Sequence, residues 1–456
     1  MTQNKKGGKV IASGGFGCVF KPSLRCNNHT RREKNKISKL MLKKYAIEEY
    51  NDVMKFESII KTIPNYKNYF LIDNFSLCVP APLMEDDINN FNKCTALPKK
   101  GINKYNINRS LDKLLTLNMP DGGLPIDDFV ITNGSYYTMI ELNNSLIHLL
   151  EKGIIPMNEK YIFHCDIKDS NILIEKHKPR YTRLIDWGLS TYYNPFKMNN
   201  LPKTWKNRPF QFNTPFSIIL FSSYFKEKYN LFLLEQNTNN EKKEEALKEF
   251  IIKYINYWLK ERGAGHFKFI NSIMNKLFFT EIPLSEINLV MDNKKKLKWI
   301  ENNYTIPYIT NYIYKILIHY SKNRNENENI YFANYLNEVF IKITDVYGFI
   351  TSYYPILEIY YENYYTLSNN EMEIYNKIKH IFIKYLYEPT IHPLDITTLV
   401  KDLHSLNPLF KKEETLYYKT NNALTRTLSK TKSKSKTKSK NINSSLFKTR
   451  KNYSFR

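Results

Sequence analysis

Residues 163–174 read FHCDIKDSNILI. Between His164 and Asn171 stand a histidine, a cysteine, two aspartates, a lysine and an asparagine, with apolar residues on either side. Asp166, Lys168 and Asn171 fall as D-x-K-x-x-N, and Asp186 follows in RLIDWGL, twenty residues after Asp166. Moving a phosphoryl group from a nucleotide to a hydroxyl needs few parts. A carboxylate accepts the hydroxyl proton, a cation steadies the moving group, and oxygen ligands hold magnesium against the phosphates. Asp166, Lys168, and Asn171 with Asp186 offer these parts in that order. The neighbours His164-Cys165 are not read as a cysteine nucleophile with its base, because such pairs meet in space and seldom in sequence.

Upstream, IASGGFGCVF places Gly14, Gly15 and Gly17 between two strand-like runs. Glycines let backbone N–H groups approach phosphate oxygens without a Cβ in the way, although a hairpin turn alone explains them equally. Lys39 lies inside the apolar run ISKLML, where an unpaired ammonium is costly to bury. Either it reaches solvent from an edge strand, or it binds phosphate beside a helix carboxylate. Glu48, Glu49 and Glu57 are the candidates, and Glu49 is preferred because Val53 and Phe56 follow on its inward side.

These groups need elements to hold them. Two short strands flank the glycine turn over 9–22, a third covers 36–42, and apolar spacing predicts a helix from Ala46 to Thr62, stopped by Pro64. Residues 66–117 read as further short strands and loops ending in the strand-like KLLTL. NMPDGGLP, 118–125, reads as a turn-rich hinge. After it the chain turns helical, with predicted helices at 142–153, 240–262, 308–321, 330–341, 345–362, 370–387 and 394–404. A strand-rich first quarter and a helical remainder predict an α+β chain of two lobes, a boundary at which clefts commonly form.

The chain has 456 residues, 42% of them hydrophobic, enough for a sizeable core. No apolar run is long enough to span a membrane, and the first residues, MTQNKKGGKV, do not read as a secretory signal. The five cysteines, odd in number and irregularly spaced, predict reduced thiols in a cytosol-like compartment. Cys18, Cys26 and His29 lack a fourth ligand for zinc. The net charge is +24, of which residues 425–456, with eleven Lys or Arg and no acid, carry +11. This low-complexity tail is expected to be disordered and suited to polyanions, nucleic acid or an anionic membrane, unless it is simply a solvated appendage.

Taken together, ASGGFGCV, ISKL, HCDIKDSN and DWG resemble the glycine-rich loop, phosphate lysine, catalytic loop and magnesium loop of eukaryotic-type protein kinases. GIIPMNEKYIFHCDIKDSNIL and RPFQFNTPFSIILF look most like the kinases of large DNA viruses in the style of mimiviruses, which implies a host cytoplasm or a virion. RLIDWGL also resembles the magnesium loop of casein kinase 2. The resemblance covers about residues 9–410. It implies a leader over 1–8, an N-lobe over 9–117, a hinge and C-lobe over 118–410 with a helical insertion at about 222–340, and a basic disordered tail over 411–456. It also implies a Ser/Thr protein kinase, since D-x-K-x-x-N carries Lys168, using ATP with Mg2+ or Mn2+ on protein substrates. ATP would meet Ile11, Ala12, Gly14, Gly15, Phe16, Gly17, Val19, Lys39, Glu49, Asn118 and Met119. Asp166 and Lys168 would be catalytic, and Asn171 and Asp186 would hold the metal. Asp345, in DVYGF, resembles the buried-helix aspartate that hydrogen-bonds the catalytic-loop backbone. The chain departs from the pattern in places. Ala12 takes the first glycine position, and Pro120 in the hinge has no N–H. Cys165 replaces the arginine that in the family often pairs with an activation-loop phosphate. NTPF, 213–216, stands where Ala-Pro-Glu is usual. Roughly 130 residues separate it from Asp345, where the family has about a dozen. The rival readings are a pseudokinase, which binds nucleotide or partners without turnover, and a small-molecule kinase using the same parts.

Overall fold

The computed structural model describes residues 8–175, 181–198, 200–236, 243–282, 292–321, 332–388 and 391–416. The chain is mixed α+β, with a small antiparallel sheet in its N-terminal region. It gathers into two compact units, one running to Gly123 and including Glu175–Ser190, the other comprising Leu124–Ile174 and the chain from Thr191 onward.

In the first unit, β1 (Lys9–Ser13), β2 (Gly17–Lys21), β3 (Lys36–Leu42), β4 (Ser76–Cys78) and β5 (Leu114–Pro120) form one antiparallel sheet in the order β1-β2-β3-β5-β4. Side chains alternate between its faces. Register pairs Ala12 with Val19, Val19 with Lys39, and Lys39 with Leu117, which puts these four on one face. Phe20, Ser38 and Asn118 are paired on the other. Helix α1 (Lys43–Ile60) buries Ala46, Val53, Phe56 and Ile60 at helical spacing.

The region expected to hold further strands has only β4, a short helix α2 (Glu85–Ile88) and several 3₁₀ turns. Its apolar residues Leu83, Phe91, Leu97, Ile102 and Ile107 instead cap the face of the sheet that carries Val10, Phe20 and Leu40. Asp87 fastens this cover, meeting Arg32 at 2.9 Å and capping Met84 N at 3.0 Å. The expectation of reduced thiols is corrected for four cysteines. Cys18 is bonded to Cys94 and Cys26 to Cys78, with Cα–Cα distances of 5.4 and 5.7 Å. The partners lie 76 and 52 residues apart, so only folding brings them together. Cys18 and Cys26 are thereby withdrawn from any zinc site.

Two boundaries also move. Strand β5 runs through Pro120, whose missing N–H is tolerated at the strand's last position, so the turn begins after it. Residues 175–190 belong with the first unit because Leu184 exchanges backbone hydrogen bonds with Tyr69 (2.9 Å) and Leu71 (3.1 Å), and Trp187 packs on Phe56 and Phe70.

In the second unit, β6 (Leu124–Pro125) leads into α3 (Ile126–Asn133) and α4 (Tyr136–Leu149), which starts at a Ser135 cap and continues through a π turn into α5 (Ile155–Glu159). Strands β7 (Ile162–Phe163) and β8 (Ile172–Ile174) bracket the polar motif, β7 pairing with Thr191–Tyr192 and β8 with β6. Then come α6 (Lys203–Lys206), α7 (Ser223–Gln236), α8 (Lys243–Arg262), α9 (Phe267–Phe278), α10 (Asn293–Ile300), α11 (Ile306–Ser321), α12 (Phe332–Tyr335), α13 (Ile341–Thr351), α14 (Tyr354–Glu362), α15 (Asn369–Phe382) and α16 (Ile396–His404). Helix α13 is buried on nearly every side, the pattern of a central helix. The helix expected over 345–362 is two, because Pro355 cannot continue the ladder and begins α14 instead. Residues 406–416 are helical and bury Phe410, so 411–416 depart from the disorder expected from 411 onward. The basic run 425–456 and most of the leader 1–8 lie outside the described residues. Among the described residues, no helix is long and apolar enough to cross a membrane.

Candidate functional site

The first unit assembles one half of the residues singled out above. The glycine turn closes with Gly14 N donating to Gly17 O at 2.9 Å. Its two ends are anchored from 94–96. Ser13 Oγ accepts from Thr95 N at 2.9 Å and Ala96 N at 3.2 Å, and Cys18 is bonded to Cys94. The three glycines differ. A Cβ at Gly15 would meet nothing within 4 Å, and at Gly14 only Gly17 O at 4.0 Å, whereas at Gly17 it would lie 2.2 Å from Met41 Cγ and 2.7 Å from Leu40 O. Gly14 and Gly15 are thus open to a ligand, and Gly17 is required by β3. Phe16 is exposed and lies on the ring of Tyr45, with centroids 4.6 Å apart. Ile11 and Ala12 are exposed, and Val19 is half-buried.

Lys39 extends from the same sheet face and meets Glu49 with both carboxylate oxygens, at 2.7 and 2.6 Å. Glu48 instead faces Lys44, and Glu57 pairs with Lys61. Burial pushes the Glu49 carboxyl up, Asp186 and Asp52 push the same way, and Lys39 opposes them. Asp186 is therefore an electrostatic neighbour of the Lys39–Glu49 pair. Its backbone is left-handed, φ 67°, a conformation that aspartate tolerates better than most residues. Buried Trp187 pins the turn, and Asp186 itself stays exposed. The hinge candidates separate by face. Asn118 is fully buried, its amide accepting from Ser38 Oγ at 2.5 Å and donating to Glu33 at 2.8 Å. Its side chain is thus spent within the sheet, where Asn118 is paired with Ser38 and with Ser76. Met119 lies on the face that carries Lys39.

The second unit assembles the other half around Asp166, which is 6% exposed. Lys168 Nζ donates to its Oδ2 at 2.8 Å, Asn171 Nδ2 to its carbonyl at 2.8 Å and Oδ2 at 3.0 Å, and Asn213 Nδ2 to its Oδ1 at 2.8 Å. Arg208 Nη2 stands 3.9 Å from Oδ1. Burial pushes the Asp166 carboxyl up, but Lys168, Asn213 and Arg208 outweigh it and hold the group below the usual aspartate range. Asp166 is an ionised, hydrogen-bonded acceptor. Because both contacts of Asn171 use its nitrogen, its amide oxygen is left for a cation, which fits the donor set magnesium takes.

The loop's shape comes from α13. Asp345 Oδ2 accepts from His164 N at 2.8 Å and Asn158 Nδ2 at 2.7 Å, and Oδ1 accepts from Cys165 N at 2.8 Å. Gly348 lies one turn on, where a Cβ would stand 2.6 Å from Ile167 O. An aspartate and a glycine at i and i+3 thus present one helix face to the loop backbone. Cys165 is buried, has φ 60°, and accepts from Trp205 Nε1 at 3.3 Å. Burial pushes its thiol up to about 12, which leaves it protonated and inert. Burial and the neighbouring Asp127 push Asp169 up to about 7.

Sequence reasoning missed Arg208 and Asn213. Both lie in RPFQFN, and their only signal was a cation and an amide within an otherwise aromatic run. No protein-family model matches the chain, and no curated protein matches it.

Proposed function

We propose that the chain is a Ser/Thr protein kinase of two-lobed kinase fold that moves the γ-phosphoryl group of Mg-ATP to protein hydroxyls. The observation that carries the reading is the environment of Asp166, a buried carboxylate kept ionised and aimed by Lys168, Asn171 and Asn213. A base that is charged at neutral pH and held in one orientation is what deprotonation of a hydroxyl requires. In this reading Asp166 takes the proton from the acceptor hydroxyl. Lys168 stabilises the charge on the transferring group. Lys39, fixed by Glu49, binds nucleotide phosphate, and the turn at Gly14 and Gly15, which carries no Cβ, leaves room for it. Asn171 and Asp186 are the residues whose oxygens would hold magnesium, which would neutralise the phosphates. Ile11, Ala12, Val19 and Met119 offer the apolar surface that an adenine needs.

The test is transfer of label from γ-³²P-ATP with magnesium, or with manganese in its place, to a generic acidic and a generic basic protein. Label on serine or threonine supports the reading. Tight nucleotide binding with no label on any acceptor would favour the pseudokinase.

A further inference from the structure

Three observations meet on the segment 207–212, which the proposed chemistry does not itself use. Arg208 is 5% exposed, and its Nη2 donates to Cys165 O beside Asp166 Oδ1. Its Nε donates to Gln211 at 2.6 Å, so the guanidinium is held through Nε and Nη2. Asp345, 1% exposed, holds the same loop from beneath and is an electrostatic neighbour of Arg208. Two buried carboxylates, one in the loop and one beneath it, therefore lie close together, and Arg208 is a buried cation beside Asp166 and within electrostatic reach of Asp345. Lys168 meets only Asp166, with a side chain that is 22% exposed. Buried charges are stable only when matched, and losing one partner is strongly destabilising.

The segment is held from the helical insertion. Trp258 Nε1, on α8, donates to Arg208 O at 3.1 Å, and Arg262 donates to Asn207 Oδ1 at 2.7 Å. His266 N donates to Phe210 O at 2.9 Å. Gly265, φ 52°, comes so close that a Cβ there would lie 2.4 Å from that same oxygen. Phe267, on α9, packs against Phe210 with centroids 5.3 Å apart. Cys165, immediately before the base, brings no charge of its own. The guanidinium that meets its carbonyl comes from 43 residues further along.

We infer that Arg208 is a positioning residue for Asp166, clamped by the inserted helices α8 and α9 as a permanent counter-ion, so that the loop is set without covalent modification. This rests on reading Asp166 as the base. It gives the insertion a task, which is to hold the segment that completes the catalytic loop.

The experiment uses the full chain and two readouts. The first is a thermal double-mutant cycle that needs no activity. Arg208→Gln lowers Tm clearly in the wild-type background and by much less in Asp166→Asn, where one of the carboxylates it balances is gone. Equal losses in both backgrounds would overturn the pairing. The second is steady-state kinetics. Arg208→Gln lowers kcat by about 10²-fold, the scale of a misaligned base, with the KM for ATP within about twofold. Arg208→Lys restores part of the loss. Trp258→Phe, which keeps the ring and removes one hydrogen bond to Arg208 O, falls between wild type and Arg208→Gln. Unchanged kcat in folded Arg208→Gln would overturn the positioning role. A collapse of wild-type kcat after phosphatase treatment would overturn the independence from modification. Should Arg208→Gln not fold, Arg208→Lys and Trp258→Phe carry the same cycle against Asp166→Asn. Should the wild type label no acceptor, the functional reading fails, and the thermal cycle still decides whether Arg208 balances Asp166.

Discussion

Alanine at each of the three glycines separates ligand binding from packing. At Gly15 an added Cβ meets nothing within 4 Å, and at Gly14 its nearest contact is 4.0 Å. Neither residue has a positive φ, so alanine fits both without strain. The folded state loses nothing, and the unfolded chain loses freedom, so each variant should be as stable as wild type or up to about 1 kcal/mol more stable. A phosphate brought against this turn would meet the new methyl, however, and the Kd for Mg-ATP should rise about tenfold or more, equivalent to about 1.4 kcal/mol. Gly17→Ala should do the reverse. Its Cβ would stand 2.7 Å from Leu40 O, which is backbone of the neighbouring strand, so β2 and β3 must part. Overpacking of that kind costs about 1–3 kcal/mol. Thermal melting and calorimetric titration with Mg-ATP on the three variants provide the assay. Wild-type affinity in both Gly14→Ala and Gly15→Ala would remove the phosphate role, and a wild-type melt for Gly17→Ala would refute the packing argument.

Asp345→Asn replaces an oxygen that accepts from a backbone amide with an NH2 group. With its oxygen retained toward His164 and Asn158, Cys165 N is left facing a donor, at a cost of about 1–3 kcal/mol, read as a lowered denaturation midpoint and a lowered kcat. Asp169 sets a pH dependence. Its native carboxyl titrates at about 7 and its unfolded one near the ordinary value of 3.8, so the native state binds the proton more tightly. Stability is fullest below the unfolded value, falls as pH rises through the window to about 7, and levels off above it. Asp169→Asn should flatten that part of a Tm-against-pH curve, and an unchanged slope would show that Asp169 is not its source. Native protein at pH 8 should leave Cys165 unmodified by iodoacetamide, with reaction appearing only on unfolding, as mass spectrometry of the peptide would show.

The parts legible in sequence were those whose geometry is local. Asp166, Lys168 and Asn171 lie within six residues, so one loop holds them together. Lys39 and Glu49 were legible because a strand leading straight into a helix leaves few carboxylates in reach, and helical spacing chose among them. Alternation along β5 would have turned Asn118 inward, but the run was expected to end in a hinge at 118, and that hid the parity. The cysteine pairs were illegible because each joins segments more than fifty residues apart. Arg208 was hidden for the same reason. Its partners Cys165, Asp166 and Trp258 all lie more than forty residues from it in the chain.

The central claim is that Asp166 is the base in transfer of a phosphoryl group from Mg-ATP. The most direct measurement is single-turnover transfer from γ-³²P-ATP to an accepted protein, comparing wild type with Asp166→Asn, with Mg-ATP affinity measured on both. Asparagine keeps the side chain's shape and removes its ability to take a proton. The account predicts that transfer falls by roughly two to four orders of magnitude while nucleotide affinity stays within a few-fold. Transfer at the wild-type rate in Asp166→Asn would contradict it.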